Sequence, residues 1–365
     1  MIEEKNEDRQ SFDQDAVMVY IDPHLMQGLA DVAAQKAANF QELLSAAQEG
    51  DLESAYQVAL SYANGRGTSK DSELAFQWFQ RAADGDHIAA QYQLGVCFLR
   101  GIGTEADIPS GLELITSTAD QDYLPSVCEL GLCYEMGTGV EESKERAAEL
   151  YRQAAQQGDA RAQCNLGFFY YRGIGVEESD SEAVYWFSQA AEQEYPRAQF
   201  LLGECYDLGF GVEADMAHAV ELYTKAHDGG YPPATCSLGL CYELGKGVEE
   251  DKERAARLYL QSAEEEDPRA QCNLGFFYYW GIGVEKDLAQ AVLWFSRSAE
   301  QQYPRAQYLL GHCYEFGYGV EKSLEKAVAL YQAAHHRSYS DGTCALGLCY
   351  ELGTGVEQDK AKAVE

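Results

Sequence analysis

Chemistry in this 365-residue chain would have to come from four groups of side chains: eleven cysteines, one Ser-x-x-Lys, an adjacent pair of histidines, and a row of arginines with aromatic neighbours. Ser323 and Lys326, in "SLEK", have the spacing of a serine nucleophile beside a lysine base, but their usual companions S-D-N and K-T-G are missing. Ser323 therefore reads better as a helix N-cap. His335 and His336 fall near a predicted helix end with no third ligand in view, so no metal is expected. There is no phosphate loop, no strand-borne G-x-G-x-x-G, no H-E-x-x-H and no G-x-S-x-G, and no cofactor is expected. The arginine row points to binding instead. Arg161, Phe168, Tyr171 and Arg172, then Arg197, then Arg269, Phe276, Tyr279 and Trp280, then Arg305, form the candidate partner-binding set. Arginine and aromatic side chains offer large, fairly rigid contact area and dominate binding hot spots.

The elements that must carry these residues follow from a strict period. Val58, Leu94, Leu130, Leu166, Leu202, Leu238, Leu274, Leu310 and Leu346 succeed one another at 36 residues, and from Leu94 onward each is followed by glycine. Seven and nine residues after each anchor stands a glycine pair, such as Gly173 and Gly175. Between the pairs, apolar residues recur at helical intervals, as in Ala183, Phe187, Ala190 and Ala191. Each copy is therefore helix A, ended by a glycine, a short G-x-G-V-E turn, and helix B. One hairpin cannot bury its own apolar stripe, so the copies must stack. "RAQCNLGFFYY" occurs at Arg161–Tyr171 and again at Arg269–Tyr279, three periods apart, which marks duplication of a three-repeat block. On helix A, Arg161, Phe168 and Arg172 share one direction, within about 20° at about 100° per residue, while Leu166 and Tyr170 point the other way.

The pattern in "AQCNLGFFYYRGIGVEESDSEAVYWFSQAA" resembles the Sel-1-like repeat family, relatives of the tetratricopeptide repeat, and the resemblance runs from about residue 38 to the end. Ala59 in place of the first "LG" glycine, and Thr68 and Thr104 in place of valine, are mild departures. The expected fold is all-α, a right-handed α/α superhelical solenoid of about nine 36-residue two-helix repeats. Residues 1–20 read as an acidic flexible tail, 21–50 as an N-terminal capping helical segment, and 51–365 as the repeat array with its last repeat truncated. The resemblance implies a non-enzymatic scaffold or adaptor that binds a protein or peptide in a concave groove lined by helix A, and the arginine row itself suggests a partner that brings carboxylates or a free C-terminus. A hydrolase of the penicillin-binding or β-lactamase type and a purely structural spacer are the alternatives. The unfinished last repeat leaves self-association open.

Bulk properties narrow the partner. Formal charge is −33, which repels nucleic acid and anionic lipid. No stretch reaches the length of a spanning helix and no secretory signal is visible, so a cytoplasmic address is expected, an exported form being the alternative. Acids such as Glu141, Glu142, Glu177, Glu178, Glu249, Glu250 and Asp251 cluster after the glycine pairs and read as a solvated rim. The acids Glu135, Asp207 and Glu243 on helix A are possible partners for the arginines. Every cysteine lies three after or two before an anchor, and cysteines or aromatics recur together at a 31-residue separation, as in 205/236, 241/272 and 313/344. That pairing suggests contact between helices A of successive repeats. Buried free thiols, a disulfide ladder like that of related exported proteins, and a metal site are the three readings, the first favoured by the expected reducing compartment.

Overall fold

The computed structural model describes residues 23–364, with side chains from residue 34, so the expected tail at 1–20 lies outside the described residues. Eighteen α-helices and no strand occur among the described residues. The chain divides into two compact units, residues 1–126 and 127–365. The first unit contains α1 (Pro23–Gln48), α2 (Leu52–Asn64), α3 (Ser72–Ala83), α4 (Ile88–Arg100) and α5 (Ile108–Ala119). The division falls inside α6 (Leu124–Met136). The second unit continues with α7 (Lys144–Gln156), α8 (Ala160–Arg172), α9 (Asp180–Glu192), α10 (Pro196–Leu208), α11 (Met216–Asp228) and α12 (Pro232–Leu244). It ends with α13 (Lys252–Glu264), α14 (Pro268–Trp280), α15 (Leu288–Glu300), α16 (Pro304–Phe316), α17 (Leu324–His336) and α18 (Ser340–Leu352). Even-numbered helices are helix A of a repeat, and each odd-numbered helix from α3 onward is its helix B. None is long and apolar enough to cross a membrane among the described residues.

Local chemistry sets the boundaries. Each helix B starts at an Asp or Ser whose side chain accepts a backbone N–H from the first turn, satisfying a donor the helix leaves open. Asp71, Asp251 and Ser323 do so, the last at 3.4 Å from the Lys326 nitrogen. Ser323 is thus the N-cap that its sequence context suggests. Helix A ends at the first glycine of each pair in the left-handed region, with φ of 62° at Gly173 and 72° at Gly281. The second glycine has another reason: a Cβ on Gly175 would stand 2.3 Å from the Lys144 carbonyl oxygen at the start of the preceding helix B. Gly283 approaches the Lys252 carbonyl in the same way. In the first unit Gly103 meets the Ser72 carbonyl, and Gly67 meets that of Lys36 in α1. The N-terminal helix therefore occupies the register of a preceding helix B.

Packing inside a repeat rests on the "LG" glycine. In α8 a Cβ on Gly167 would come within 2.7 Å of the Phe187 ring of α9, and Phe187 is itself 1% exposed. The equivalent ring is Phe295 against Gly275 and tyrosine elsewhere in the second unit: Tyr151, Tyr223, Tyr259 and Tyr331 against Gly131, Gly203, Gly239 and Gly311. Close backbone approach lets one large ring fill the space between two helices, where it is worth about 2–3 kcal/mol of apolar burial.

Candidate partner-binding site

The arginine row lies on four helices A of the second unit, interrupted at α12, and each guanidinium reaches back to the helix A before its own. Arg197 of α10 donates from Nη1 to Asn165 Oδ1 of α8 at 2.9 Å, and Arg305 of α16 donates to Asn273 Oδ1 of α14 at 2.8 Å. Arg161 of α8 forms an ion pair with the buried Glu129 carboxylate of α6 at 2.8 Å. Arg269 of α14 donates to the Pro233 carbonyl of α12 and to Asp267, both at 3.3 Å. Aromatic faces support two of them: Arg197 lies 5.6 Å from the Phe168 ring centroid, and Arg305 lies 5.3 Å from that of Phe276. Arg172 is exposed, 5.9 Å from the same Phe168 ring and 6.0 Å from Tyr171. Trp280, 59% exposed, takes the place of Arg172 in the second block and stacks edge-on against Tyr279 at 5.1 Å. All ten sequence-chosen residues therefore fall on α8, α10, α14 and α16.

The acids that sequence reasoning offered to these arginines have other partners. Glu135 accepts a hydrogen bond from the Tyr151 hydroxyl at 2.6 Å, Asp207 from Tyr223 at 3.3 Å, and Glu243 from Tyr259 at 2.6 Å. Glu315 accepts from Tyr331 at 2.7 Å. Each bond latches the end of a helix A to its helix B. Burial, reinforced by the carboxylate beside it, pushes the Tyr151 hydroxyl well above the ordinary phenol range. Of the repeats of the second unit with both helices among the described residues, two lack the latch. In α8 and α14 the carboxylate position holds Tyr171 and Tyr279, and the opposing helix-B residue is Phe187 or Phe295, which has no hydroxyl to donate. The sequence carries the signal five residues after each anchor, where Glu or Asp gives way to Tyr171 and Tyr279 as the helix-B tyrosine gives way to Phe187 and Phe295.

Ten of the eleven cysteines are buried, Cys344 is exposed, and all are free thiols. The 31-residue pairing had the two faces of helix A exchanged. In the core the residue two before an anchor faces the following repeat, so Cys164 shares a cluster with Cys205, and Cys272 shares one with Cys313, 41 residues apart. Phe200 meets Cys241 and Cys236 meets Phe277 in the same sense. Burial pushes the thiols of Cys128, Cys164 and Cys272 up to about 12, so they carry no nucleophilic thiolate at neutral pH. No group of three or more His, Cys, Asp or Glu suited to a metal ion occurs among the described residues.

With the paired helices and their fixed glycines in place, the comparisons with known proteins decide the family. The Sel1 repeat model matches nine consecutive segments: 52–87, 88–123, 125–159, 160–195, 196–231, 232–267, 268–303, 304–334 and 340–365. The chain belongs to the Sel1 repeat family. Two solved structures carry the same fold. One is c5321, a protective antigen of uropathogenic Escherichia coli strains displaying an SLR fold; it is 32% identical with a TM-score of 0.66, over 90% of this chain and 70% of that one. The other is a Sel1 repeat protein from Oxalobacter formigenes, 31% identical with a TM-score of 0.55, over 79% of this chain and 83% of that one. No curated protein sequence matches. Sel1 repeats generally serve as non-catalytic scaffolds for protein–protein interaction.

Proposed function

We propose that this Sel1 repeat protein is a non-enzymatic scaffold that docks a segment of a partner protein along the helix-A surface of its second unit. The partner's carboxylates, or its C-terminus, meet the guanidiniums of Arg197 and Arg305. The observation that supports this reading is the way these two arginines are held. Each half-buried guanidinium is held by one hydrogen bond to an asparagine and one aromatic face, a small part of what a five-donor group can make. A guanidinium positioned before its ligand arrives loses less entropy on binding and favours planar, two-point recognition of a carboxylate. Arg161, tied to Glu129, and Arg269, tied to the Pro233 carbonyl, act as buttresses between repeats. Affinity capture by wild-type protein and by a variant with Arg197→Glu and Arg305→Glu tests the proposal. Partners recovered by the wild type alone support it, and identical recovery by both removes it.

A further inference from the structure

Where the carboxylate–tyrosine latch is absent, the second unit opens two apolar clefts at equivalent places three repeats apart. The first, of about 60 Å³, is walled by Tyr171, Phe187, Leu201, Glu204, Leu208 and Phe210. The second, of about 170 Å³, is walled by Tyr279, Trp280, Phe295, Tyr308, Leu309 and His312. Leu208 is 61% exposed and Trp280 59%, so both clefts open to solvent. Around the second, the exposed rings of Phe316 and Tyr318 stack at 5.8 Å, and Tyr318 reaches Tyr279 at 5.9 Å, which extends the apolar surface beyond the cleft. A solvated aromatic patch of this kind, in a chain at −33, calls for a reason.

We propose that the two clefts are paired anchor sites for one extended partner segment carrying two large apolar side chains, a smaller aliphatic one for the first cleft and an aromatic one with an acidic neighbour for the second. The inference rests on the docking surface proposed above and specifies what it recognises. Size assigns the anchors: a cavity near 150 Å³ lined by apolar side chains admits a six-membered ring, and about 60 Å³ does not. Charge assigns the neighbours. Guanidiniums stand in equivalent places by the two clefts, Arg197 on Phe168 and Arg305 on Phe276, so the walls decide: no acid lines the second. The first has Glu204 in its wall, which opposes an acidic flank there. Desolvation, with Arg269 opposing and Asp207 adding to it, raises the Glu204 carboxyl above its ordinary range. Both clefts are walled by helices of the second unit, so one extended segment of the partner is the occupant that can meet both.

The test uses the protein's own latch to close each cleft. The variants are Tyr171→Glu with Phe187→Tyr, and Tyr279→Glu with Phe295→Tyr, which install the pair that four other repeats of this unit use. The probe is a displayed library of random peptides of roughly twenty residues. The expected result is a wild-type selection enriched in two large apolar residues at one fixed separation, the aromatic one beside Asp or Glu. Synthetic versions should lose roughly 10- to 100-fold in affinity with each latch, the worth of one buried large side chain. Circular dichroism and unfolding midpoints matching the wild type confirm that the latched variants fold. Selected peptides that ignore both latches yet fail with Arg197→Glu and Arg305→Glu overturn the clefts and leave the docking surface standing. A wild-type protein that selects nothing overturns both.

Discussion

The ring seated against the "LG" glycine should make alanine costly in a place where alanine is otherwise the better helix former. At Gly167 a new Cβ would stand 2.7 Å and 2.8 Å from two ring carbons of Phe187 and 3.1 Å from the Ala183 carbonyl oxygen. Comfortable carbon–carbon contact begins near 3.5 Å, so the shortfall is about 0.8 Å, and the backbone oxygen blocks escape on one side. Overpacking of this size costs about 1–3 kcal/mol, and replacing a mid-helix glycine by alanine returns about 1 kcal/mol. Gly167→Ala alone should therefore destabilise by up to about 2 kcal/mol. Removing the ring with Phe187→Leu should expose the hidden propensity gain, so that the double variant is more stable than the sum of the singles by about 1–3 kcal/mol. Urea unfolding followed by far-ultraviolet circular dichroism gives the global midpoint. Because stacked repeats can unfold in segments, hydrogen exchange in α8 and α9 gives the local stability. A coupling below about 0.5 kcal/mol would show that ring and glycine do not constrain each other, and the packing account of the repeat would fail.

A thiol reagent applied to the native protein should modify Cys344 quickly and the ten buried cysteines only as the chain opens; several fast thiols would contradict the burial described. The same thiols predict alkaline fragility. Cys164 and Cys272 are raised to about 12, so the folded state holds protons that the unfolded state releases; this stability is complete below about pH 9 and declines as pH climbs towards 12. By pH 10 the loss is on the order of 1 kcal/mol for each such thiol, and an unfolding midpoint unchanged between pH 8 and about 10 would refute it. Glu194 and Gln302 hold left-handed φ angles of 59° and 61° in turns where Gly158 and Gly230 stand in other repeats. Glu194→Gly should stabilise by about 0.5–1 kcal/mol, and Gly158→Ala, whose Cβ would meet nothing within 4 Å, should destabilise by about 1 kcal/mol through φ alone; equal midpoints for all three proteins would refute the strain.

The repeat was legible because glycine has few reasons to recur at fixed spacing. Gly173 had to end a helix and Gly175 had to admit a neighbouring carbonyl, and both demands are written in residue type alone. Position along the period was legible too, which is why Arg161, Arg197, Arg269 and Arg305 fall at the same place on α8, α10, α14 and α16. What sequence could not assign was the order of neighbours. Cys164 and Cys205 share a cluster, while Cys205 and Cys236 do not, because period fixes spacing and leaves open which face of a helix meets the previous copy. The acids of helix A were misassigned for a related reason: charge alone offers them to arginine, whereas the Tyr151 and Tyr259 hydroxyls lie 2.6 Å from Glu135 and Glu243.

Exchange of those pairs also separates stability from recognition in this chain. A carboxylate–tyrosine latch satisfies a buried hydroxyl and closes the seam between helices, and it contributes only if both members are present. Losing the hydroxyl alone, as in Phe187 or Phe295, would strand an acid against an aromatic ring, so the acid has to change with it. Tyr171 and Tyr279 meet that demand and leave apolar walls open to solvent, beside arginines already held by Asn165 and Asn273. An exposed apolar wall contributes nothing to the stability of the lone chain, whereas the latch would. Duplication of the three-repeat block carried Tyr171 with Phe187 and Tyr279 with Phe295 together, so their likeness is one event counted twice. The informative residues are those that differ between the blocks. Glu204 against His312 and Arg172 against Trp280 give one cleft a charged border and the other an aromatic one, so a segment lying across both can be read in only one direction.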